Sequence, residues 1–365
     1  MRVTFVLPAP VRIPMGGAAV VYRHAAGLAA RGHAVTVVAP REGAGGLRAK
    51  ARAVAVGVRD RLHGVGQTPY YVAPGVETRE VANLSDIPVG EAVIATGHQT
   101  APWVATLGDA AGEKVYFVQH DERHLTPAAE ATWHLPLARI AVAGWIADTL
   151  AASGAPAVGV VPNAVDPADF AADAPLDRRP PRTVSLYHRL PSKGPDTLVA
   201  ALRAIRSVRP DAEADVIAAR PPSHAFPPWV RLHIRPDARA LRALYNAAAV
   251  VLHTSRLEGW GLVPMEAAAC GCAVVATASR GPAEYLRAGE SMIEVPVGDA
   301  AALARETVRL FDDDAARVRL ARAAMADVAR FSWDASTAEF ERLLLNLVRD
   351  GSGPGSRGRT VEAGL

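Results

Sequence analysis

Cysteine, lysine and aromatic residues are all scarce in this chain of 365 residues. Its two cysteines, Cys270 and Cys272, are separated by a single residue and are not expected to bridge each other. A secreted fold that depends on disulfides is therefore excluded, and a reducing cytoplasm is the expected compartment.

The sequence also lacks a strong net charge and long apolar runs. The 40 Lys+Arg and 37 Asp+Glu residues leave +3, which is too little to indicate a nucleic acid or a membrane surface as partner. No segment approaches the roughly 18 uncharged apolar residues of a membrane span. Residues 1–8 lack the apolar core of a signal peptide. These absences favour a cytoplasmic protein.

Short β-rich runs alternate with helical patterns along almost the whole chain. In the first half the predicted strands are residues 3–7, 34–39, 92–95, 115–118 and 139–143. In the second half they are residues 183–187, 214–218, 231–234, 249–252, 273–276 and 292–295. Strand, helix and strand at this spacing form the βαβ unit of a parallel sheet.

The length suggests two domains, at about 150 residues per domain. A proline-rich charged stretch at residues 173–181 is typical of a linker. We therefore expect an α/β protein with two doubly wound Rossmann-like domains that face a cleft. The expected bounds are 1–172 and 173–350, with a last helix at about 334–350 that packs back on the first domain, and a flexible tail at 351–365.

Glu258 and Glu266 bracket the densest motif, Glu-Gly-Trp-Gly-Leu-Val-Pro-Met-Glu. It follows a predicted strand and enters a helix whose first position we assign to Pro264, which would put Glu266 in the first turn. The glycines let the backbone approach a ligand, and a helix N-terminus offers free N–H groups to an anion. Glu266 either accepts ribose hydroxyls or interacts with the helix dipole, and the motif alone favours the dipole.

A second motif, residues 188–196, joins a predicted strand end to a helix that begins near Pro195. It places Arg189 and Lys193 at the carboxyl end of a parallel strand, where a diphosphate can bind. Lys193 is one of three lysines among 40 cationic residues, so its position is informative. Solvated side chains on a loop remain the alternative for this segment by itself.

The motif from Glu258 to Glu266 resembles the E-x7-E pattern of glycosyltransferase family 4, the retaining glycosyltransferases of GT-B fold. Other segments resemble that family in the same order, namely residues 16–17, 31–35, 161–166, 188–196, 244–248 and 331–333. The resemblance spans roughly residues 2 to 348, and seven segments in the correct order are more specific than any one of them.

The resemblance implies a transferase that moves a sugar from a nucleotide donor, with retention at the anomeric carbon. The implied donor-binding residues are Gly16, Gly17, Arg189, Lys193, Glu258, Gly259, Trp260, Gly261, Leu262 and Glu266. By matching position, Arg189 and Lys193 would hold the diphosphate and Glu266 the ribose. Glu258 and the backbone of the next four residues would hold the sugar and phosphate oxygens.

The catalytic residues that the resemblance implies are His120, Glu258 and Lys193. Retention without a well-placed nucleophile suggests attack from the face of the leaving group, whose phosphate oxygen takes the acceptor's proton. Such a reaction needs charge stabilisation more than a strong base. We expect no cofactor and no metal.

Three features depart from the family pattern. First, His188 stands where a glycine usually precedes the arginine, and the spacing from Arg189 to Lys193 is one residue shorter than common. This departure affects the assignment of Arg189 more than that of Lys193. Second, Ala164 replaces the usual glycine. Third, Trp260 replaces a phenylalanine, which would reshape the sugar pocket.

Two acidic or histidine-rich segments suggest metal binding as an alternative. Residues 120–124 place two histidines four apart, but the glutamate is not where the H-E-x-x-H motif requires it. Residues 312–314 contain the D-x-D pattern, between two predicted helices where a solvated turn explains it. Metal binding is the minority interpretation.

Other function classes remain open. A non-catalytic GT-B subunit that binds a partner glycosyltransferase is the alternative function. A two-lobed sugar-binding protein would normally need an export signal. The basic run Arg48, Lys50, Arg52, Arg59 and Arg61 suggests membrane docking, but on a helix these residues would not share one face.

The expected partners are a UDP-, GDP- or dTDP-sugar and a carbohydrate, lipid-linked or natural-product acceptor. No nucleic acid is expected, and any membrane contact would be peripheral. By the resemblance, residues 14–17, 73–86 and 119–134 shape the acceptor site in the first domain.

Overall fold

The computed structural model describes residues 1–41, 70–222 and 226–351. These residues form ten α-helices and thirteen strands, and the strands make up two wholly parallel sheets. The chain divides into two compact units, of which the first is Met1–Pro162 with the segment from Trp333 onward and the second is Asn163–Ser332.

The first sheet has the order β3-β2-β1-β4-β5-β6-β7. Its strands are β1 (Arg2–Val6), β2 (Ala34–Pro40), β3 (Val76–Val81), β4 (Ala92–Ala95), β5 (Glu113–Val118), β6 (Ala138–Ala141) and β7 (Gly159–Val160). The helices between them are α1 (Gly16–Ala30), α2 (Ala101–Ala105), α3 (Ala128–Trp133) and α4 (Gly144–Ala152). The order reverses between β1 and β4, which makes the carboxyl ends of these two strands the switch point of this sheet.

The second sheet has the order β10-β9-β8-β11-β12-β13. Its strands are β8 (Arg182–Tyr187), β9 (Glu213–Ala218), β10 (Val230–Ile234), β11 (Val250–His253), β12 (Ala273–Thr277) and β13 (Ile293–Val295). Its helices are α5 (Pro195–Val208), α6 (Ala238–Ala247), α7 (Leu262–Ala269), α8 (Ala300–Asp312) and α9 (Asp314–Val328). Here the switch point lies between β8 and β11.

The prediction of two doubly wound parallel-sheet domains is confirmed, and each predicted strand run overlaps an observed strand. Two strands, β3 and β7, were not predicted. β3 has the sequence Val-Glu-Thr-Arg-Glu-Val and lies at the sheet edge with four of its six residues exposed, so it lacks an apolar pattern. β7 has only two residues.

The boundary between the units lies at residues 162–163, ten residues before the expected 172. The reason is that residues 168–173 are bonded to α6 of the second unit. The Asn246 amide oxygen accepts the Asp173 N–H at 2.6 Å, and the Arg242 guanidinium donates to the Ala168 carbonyl at 2.8 Å.

The last helix, α10 (Trp333–Asp350), packs against α1 and β1 of the first unit. The Phe340 ring lies 5.9 Å from the Phe5 ring and 4.9 Å from the His24 ring. The Arg31 guanidinium forms an ion pair with Asp334 at 2.6 Å. The chain therefore returns to its first unit after completing the second.

None of the helices in these described ranges combines the length and apolarity needed to cross a bilayer. The basic run from Arg48 to Arg61 and the tail beyond residue 351 lie outside the described residues. The membrane-docking alternative and the flexible tail therefore stay predictions.

His24 makes the stability of the first unit pH-dependent. Complete burial lowers the pKa of His24 from 6.5 to about 3, so the unfolded chain takes up the proton first as the pH falls. Each pH unit below 6.5 should cost about 1.4 kcal/mol of unfolding free energy. Replacement His24→Phe should therefore make the fall in stability between pH 6.5 and 5 shallower by about 2 kcal/mol, measured by thermal unfolding.

The matched control is His134→Gln, at an exposed position. It should keep the pH dependence of the wild type. Parallel stability curves for the wild type and His24→Phe would contradict the assignment.

Candidate functional site

The loops that follow β8 and β11 meet at the switch point of the second sheet. Gly194 has φ 62°, and a Cβ atom there would lie 2.0 Å from the Thr254 carbonyl oxygen. The Arg256 N–H donates to the Ser192 carbonyl at 2.7 Å, and the Thr254 hydroxyl donates to the Lys193 carbonyl at 3.2 Å. A glycine is required at position 194 because the two backbones touch there.

This contact brings Lys193 and Glu258 together. The Lys193 Nζ donates to Glu258 Oε2 at 2.7 Å, and the Ser255 hydroxyl donates to Oε1 at 2.7 Å. Burial alone would raise the pKa of Glu258, but the Lys193 charge, His253 and these hydrogen bonds outweigh it and lower the pKa to about 2. Glu258 is therefore a buried, ionised hydrogen-bond acceptor.

Two histidines border this pair and are held neutral. Burial lowers the pKa of His253 to about 4, and its Nε2 lies 3.8 Å from Glu258 Oε1. Burial, and then the charges of Lys193 and Arg189, lower the pKa of His188. The positive charges at this site therefore belong to Lys193 and Arg189 and not to the histidines.

Arg189 is exposed and makes no hydrogen bond or ion pair with any of the described residues. Lys193 keeps further N–H donors, since among those residues its ammonium donates to Glu258 alone. The loop after β8 thus carries two cationic side chains at the carboxyl end of that strand, as the sequence predicts.

Glu266 lies two residues deeper in its helix than expected. α7 begins at Leu262 with Gly261 as N-cap at φ 91°, so Pro264 is the third helical residue and Glu266 is beyond the first turn. The prediction of Pro264 at the first position was wrong because the left-handed Gly261 already starts the helix. The Glu266 Oε2 accepts the Tyr245 hydroxyl at 3.0 Å. That bond orients the carboxylate. Because Glu266 lies beyond the first turn, the interpretation that it interacts with the helix dipole is not supported.

The Trp260 side chain is packed inside the second unit. The indole is buried, stacks on Tyr285 at 5.3 Å and meets Phe331 edge-on at 5.4 Å. Its Nε1 donates to the Met265 sulfur at 3.2 Å. The reshaping of a sugar pocket by Trp260 stays a prediction, and the backbone from Gly259 to Leu262 follows Glu258 directly.

The first unit carries the other predicted residues at the carboxyl edge of its own sheet. Gly16 and Gly17 are exposed and begin α1, which has no side-chain cap. A Cβ at Gly17 would lie 3.4 Å from the Gln119 Oε1. His120 follows β5, and its Nδ1 lies 3.1 Å from the Asp121 carbonyl oxygen.

The metal-binding alternative for residues 120–124 finds no geometric support. Glu122 Oε2 accepts the His98 backbone N–H at 2.7 Å and the Tyr116 hydroxyl at 3.2 Å. Nowhere in the ranges that the structure describes do three or more His, Cys, Asp or Glu side chains converge as metal ligands. In residues 312–314, Asp313 caps α9 and Asp314 pairs with Arg317.

Sequence reasoning missed the partners that orient the two glutamates. Ser255 and His253 adjoin Glu258, and Tyr245 binds Glu266. Tyr245 lies in a segment that resembles the family, but nothing in the pattern indicates its contact. Only the Ser255–Glu258 spacing of three residues could have indicated a local bond.

Residues 182–313 match the family described as Glycosyl transferases group 1. The matched region contains the loops after β8 and β11 with Arg189, Lys193, Glu258 and Glu266. The family resemblance is thereby confirmed for the part of the chain that holds the site.

Curated relatives also contain regions similar to part of this chain. The D-inositol 3-phosphate glycosyltransferase of Salinispora tropica is 36% identical over 162 residues, which are 40% of this chain and 34% of that protein. The enzyme of that name from Corynebacterium glutamicum is 33% identical over 179 residues, 44% of this chain and 43% of that protein. The matches thus span less than half of the length of these relatives.

Solved structures share the fold over nearly the whole chain. Anabaena Alr3699/HepE, crystallised in complex with UDP-glucose, has a TM-score of 0.74 at 18% identity and covers 95% of this chain and 100% of its own. Sucrose-phosphate synthase from Thermosynechococcus elongatus has a TM-score of 0.74 at 17% identity and covers 96% and 100%. The predicted GT-B fold is confirmed.

The contact at Gly194 gives a stability prediction. Replacement Gly194→Ala should lower the unfolding free energy by about 2 kcal/mol or more, because it adds a clash with Thr254 to the strain of positive φ. The control is Gly289→Ala, where φ is 80° but nothing lies within 4 Å of the added Cβ. That change should cost only about 1 kcal/mol. Equal losses in thermal unfolding would show that the two loops do not touch.

Proposed function

We propose that the protein is a retaining glycosyltransferase that transfers a sugar from a nucleotide-sugar donor to a hydroxyl group. The observation that carries this proposal is the Lys193–Glu258 pair at the switch point of the second sheet, inside the region that matches the Glycosyl transferases group 1 family. Ligands of open parallel sheets bind outside the carboxyl ends of the strands at such a point.

The donor's diphosphate would bind Arg189 and Lys193, whose unused N–H groups suit phosphate oxygens. Glu266, oriented by Tyr245, would accept the ribose hydroxyls. Glu258 would accept hydroxyls of the sugar, because it stays ionised while buried. Uridine is the first base to test, since the HepE structure contains UDP-glucose.

The chemical step would take place on the face of the leaving group. The bond from the anomeric carbon to the phosphate oxygen breaks as the bond to the acceptor oxygen forms, and the departing phosphate takes the acceptor's proton. Lys193 and Arg189 stabilise the negative charge that develops on the diphosphate. Charge stabilisation of this type is usually the largest catalytic contribution, and it requires no bound metal.

The acceptor would bind the first unit. The roles of Gly16 and Gly17 at the diphosphate and of His120 near the reacting carbon stay predictions from the family resemblance. D-inositol 3-phosphate, which the names of the relatives specify, is the first acceptor to test. Other acceptors are carbohydrates, lipid-linked sugars and small natural products.

A thermal-shift panel with UDP, GDP, dTDP and ADP, alone and as sugar conjugates, tests donor binding. We expect one base to stabilise the protein by about 2.7 kcal/mol at a ligand concentration a hundredfold above Kd. Replacement Glu266→Ala should weaken that stabilisation, since the ribose hydroxyls lose their acceptor. The control Glu290→Ala removes an exposed carboxylate that pairs with Arg287 and should leave the shift unchanged.

The absence of a shift with every nucleotide, tested also with D-inositol 3-phosphate present, would contradict the proposal. It would favour the alternative of a non-catalytic GT-B subunit that binds a partner enzyme.

Replacement Lys193→Ala should lower turnover a hundredfold or more, on the order of the loss of one charge-stabilising donor. Release of nucleoside diphosphate from the donor, with and without acceptor, measures it. The control is Lys114→Ala, which removes a lysine of β5 that donates to the carbonyls of Ala105 and Leu107. Near-normal turnover of Lys193→Ala would refute the role of Lys193.

Wild-type turnover should persist in EDTA, because the proposed step requires no bound metal. Loss of activity in EDTA would refute metal independence.

A further inference from the structure

Arg280 has a strained backbone in the loop that follows β12. Its φ is 73° and its ψ is −58°. The Gly281 N–H donates to the Ser279 carbonyl at 3.1 Å, which makes Arg280 the central residue of a γ-turn with positive φ. Such turns are rare and strained. Among the described residues, Arg235 is the other non-glycine residue with positive φ.

The strained turn is bonded directly to Glu258. The Ser279 carbonyl that closes the turn also accepts the Glu258 N–H at 2.9 Å, and Glu258 forms a parallel bridge with Arg280. A Cβ at Gly281 would lie 2.5 Å from the Trp260 carbonyl oxygen and 2.9 Å from the Glu258 Cβ. The turn therefore supports the backbone that carries the buried carboxylate.

The sheet order puts Arg280 on the far side of Glu258 from Lys193. Lys193 follows β8, Glu258 follows β11 and Arg280 follows β12, and these three strands are neighbours in that order. Neighbouring strands lie about 4.8 Å apart. The carboxyl edge thus presents a cation, an anion and a second cation in succession.

The backbone of this turn favours a glycine at position 280. A glycine would adopt the same φ without strain, and the arginine that stands there instead is exposed. Strained non-glycine residues persist only where the surrounding structure holds them in place, and they cluster at active sites and ligand sites.

We propose that Arg280 is a specificity-determining residue that donates hydrogen bonds to the sugar of the nucleotide donor. This inference rests on the proposed function, because it places the diphosphate at Lys193 and the sugar at Glu258. A guanidinium group has donors only, so the recognised atoms are hydroxyl or carboxylate oxygens of the sugar. A carboxylate would bind more tightly than a hydroxyl, since both partners are then charged.

Calorimetric titration of the full chain with UDP, UDP-glucose and UDP-glucuronate tests this role, or the matching set for the base that the thermal-shift panel identifies. Arg280→Ala and Arg280→Gly should weaken the binding of a nucleotide sugar about tenfold or more and leave UDP binding unchanged. Arg280→Gly should also raise Tm by about 1 to 3 °C through relief of strain, whereas Arg280→Ala should not. Arg280→Lys should retain part of the affinity.

The control is Arg305→Ala, which removes an exposed arginine of α8 and should change neither binding nor Tm. A larger loss for UDP-glucuronate than for UDP-glucose identifies a carboxylate as the recognised group. Equal losses identify hydroxyls.

Two results would overturn the inference while the proposed function stands. One is wild-type affinity of Arg280→Gly for every nucleotide sugar. The other is a lower Tm of Arg280→Gly with a parallel loss of UDP binding, which would show a purely structural role. If the wild type binds no nucleotide, the proposed function fails and the role of Arg280 fails with it.

Discussion

The second unit is organised around a carboxylate that is both buried and ionised. Removing Glu258 from water costs several kcal/mol, and this cost is offset only if a cation and hydrogen-bond donors are held in good geometry. Lys193 supplies the charge and Ser255 a hydroxyl donor, while the Ser279 carbonyl fixes the backbone. These partners come from three different loops, so the carboxylate depends on the correct folding of the whole edge of the sheet.

The reversal of strand order explains why those loops meet. β8 and β11 are neighbours in the sheet, although more than sixty residues separate them in the chain. The chain leaves β8 toward β9 and leaves β11 toward β12, on opposite sides, which opens the carboxyl edge between the two strands. Gly194 lets the two backbones come into contact there, and Lys193, the preceding residue, reaches Glu258 as a consequence. The contact between the two loops and the ion pair of Lys193 with Glu258 therefore depend on the same backbone geometry.

The strands were predictable because buried parallel strands are continuous apolar runs. β3 and β7 were not, since one carries charged residues at an exposed edge and the other has two residues. The start of α7 was placed two residues late, because proline suits a first helical position and the left-handed Gly261 was not recognised as the cap. The apolar pattern along the chain thus predicts most strands. The start of α7 was predicted wrongly because the backbone conformation of one residue, Gly261, decides it.

The sequence by itself determined the α/β class, the two doubly wound domains and the motifs that contain Arg189, Lys193, Glu258 and Glu266. Each of these follows from residues close together in the chain. Only the tertiary structure decided that Lys193 pairs with Glu258, that Tyr245 orients Glu266, and that a strained turn at Arg280 supports the buried carboxylate. These contacts join distant segments, and their geometry depends on strand order and on backbone conformations that sequence periodicity does not encode.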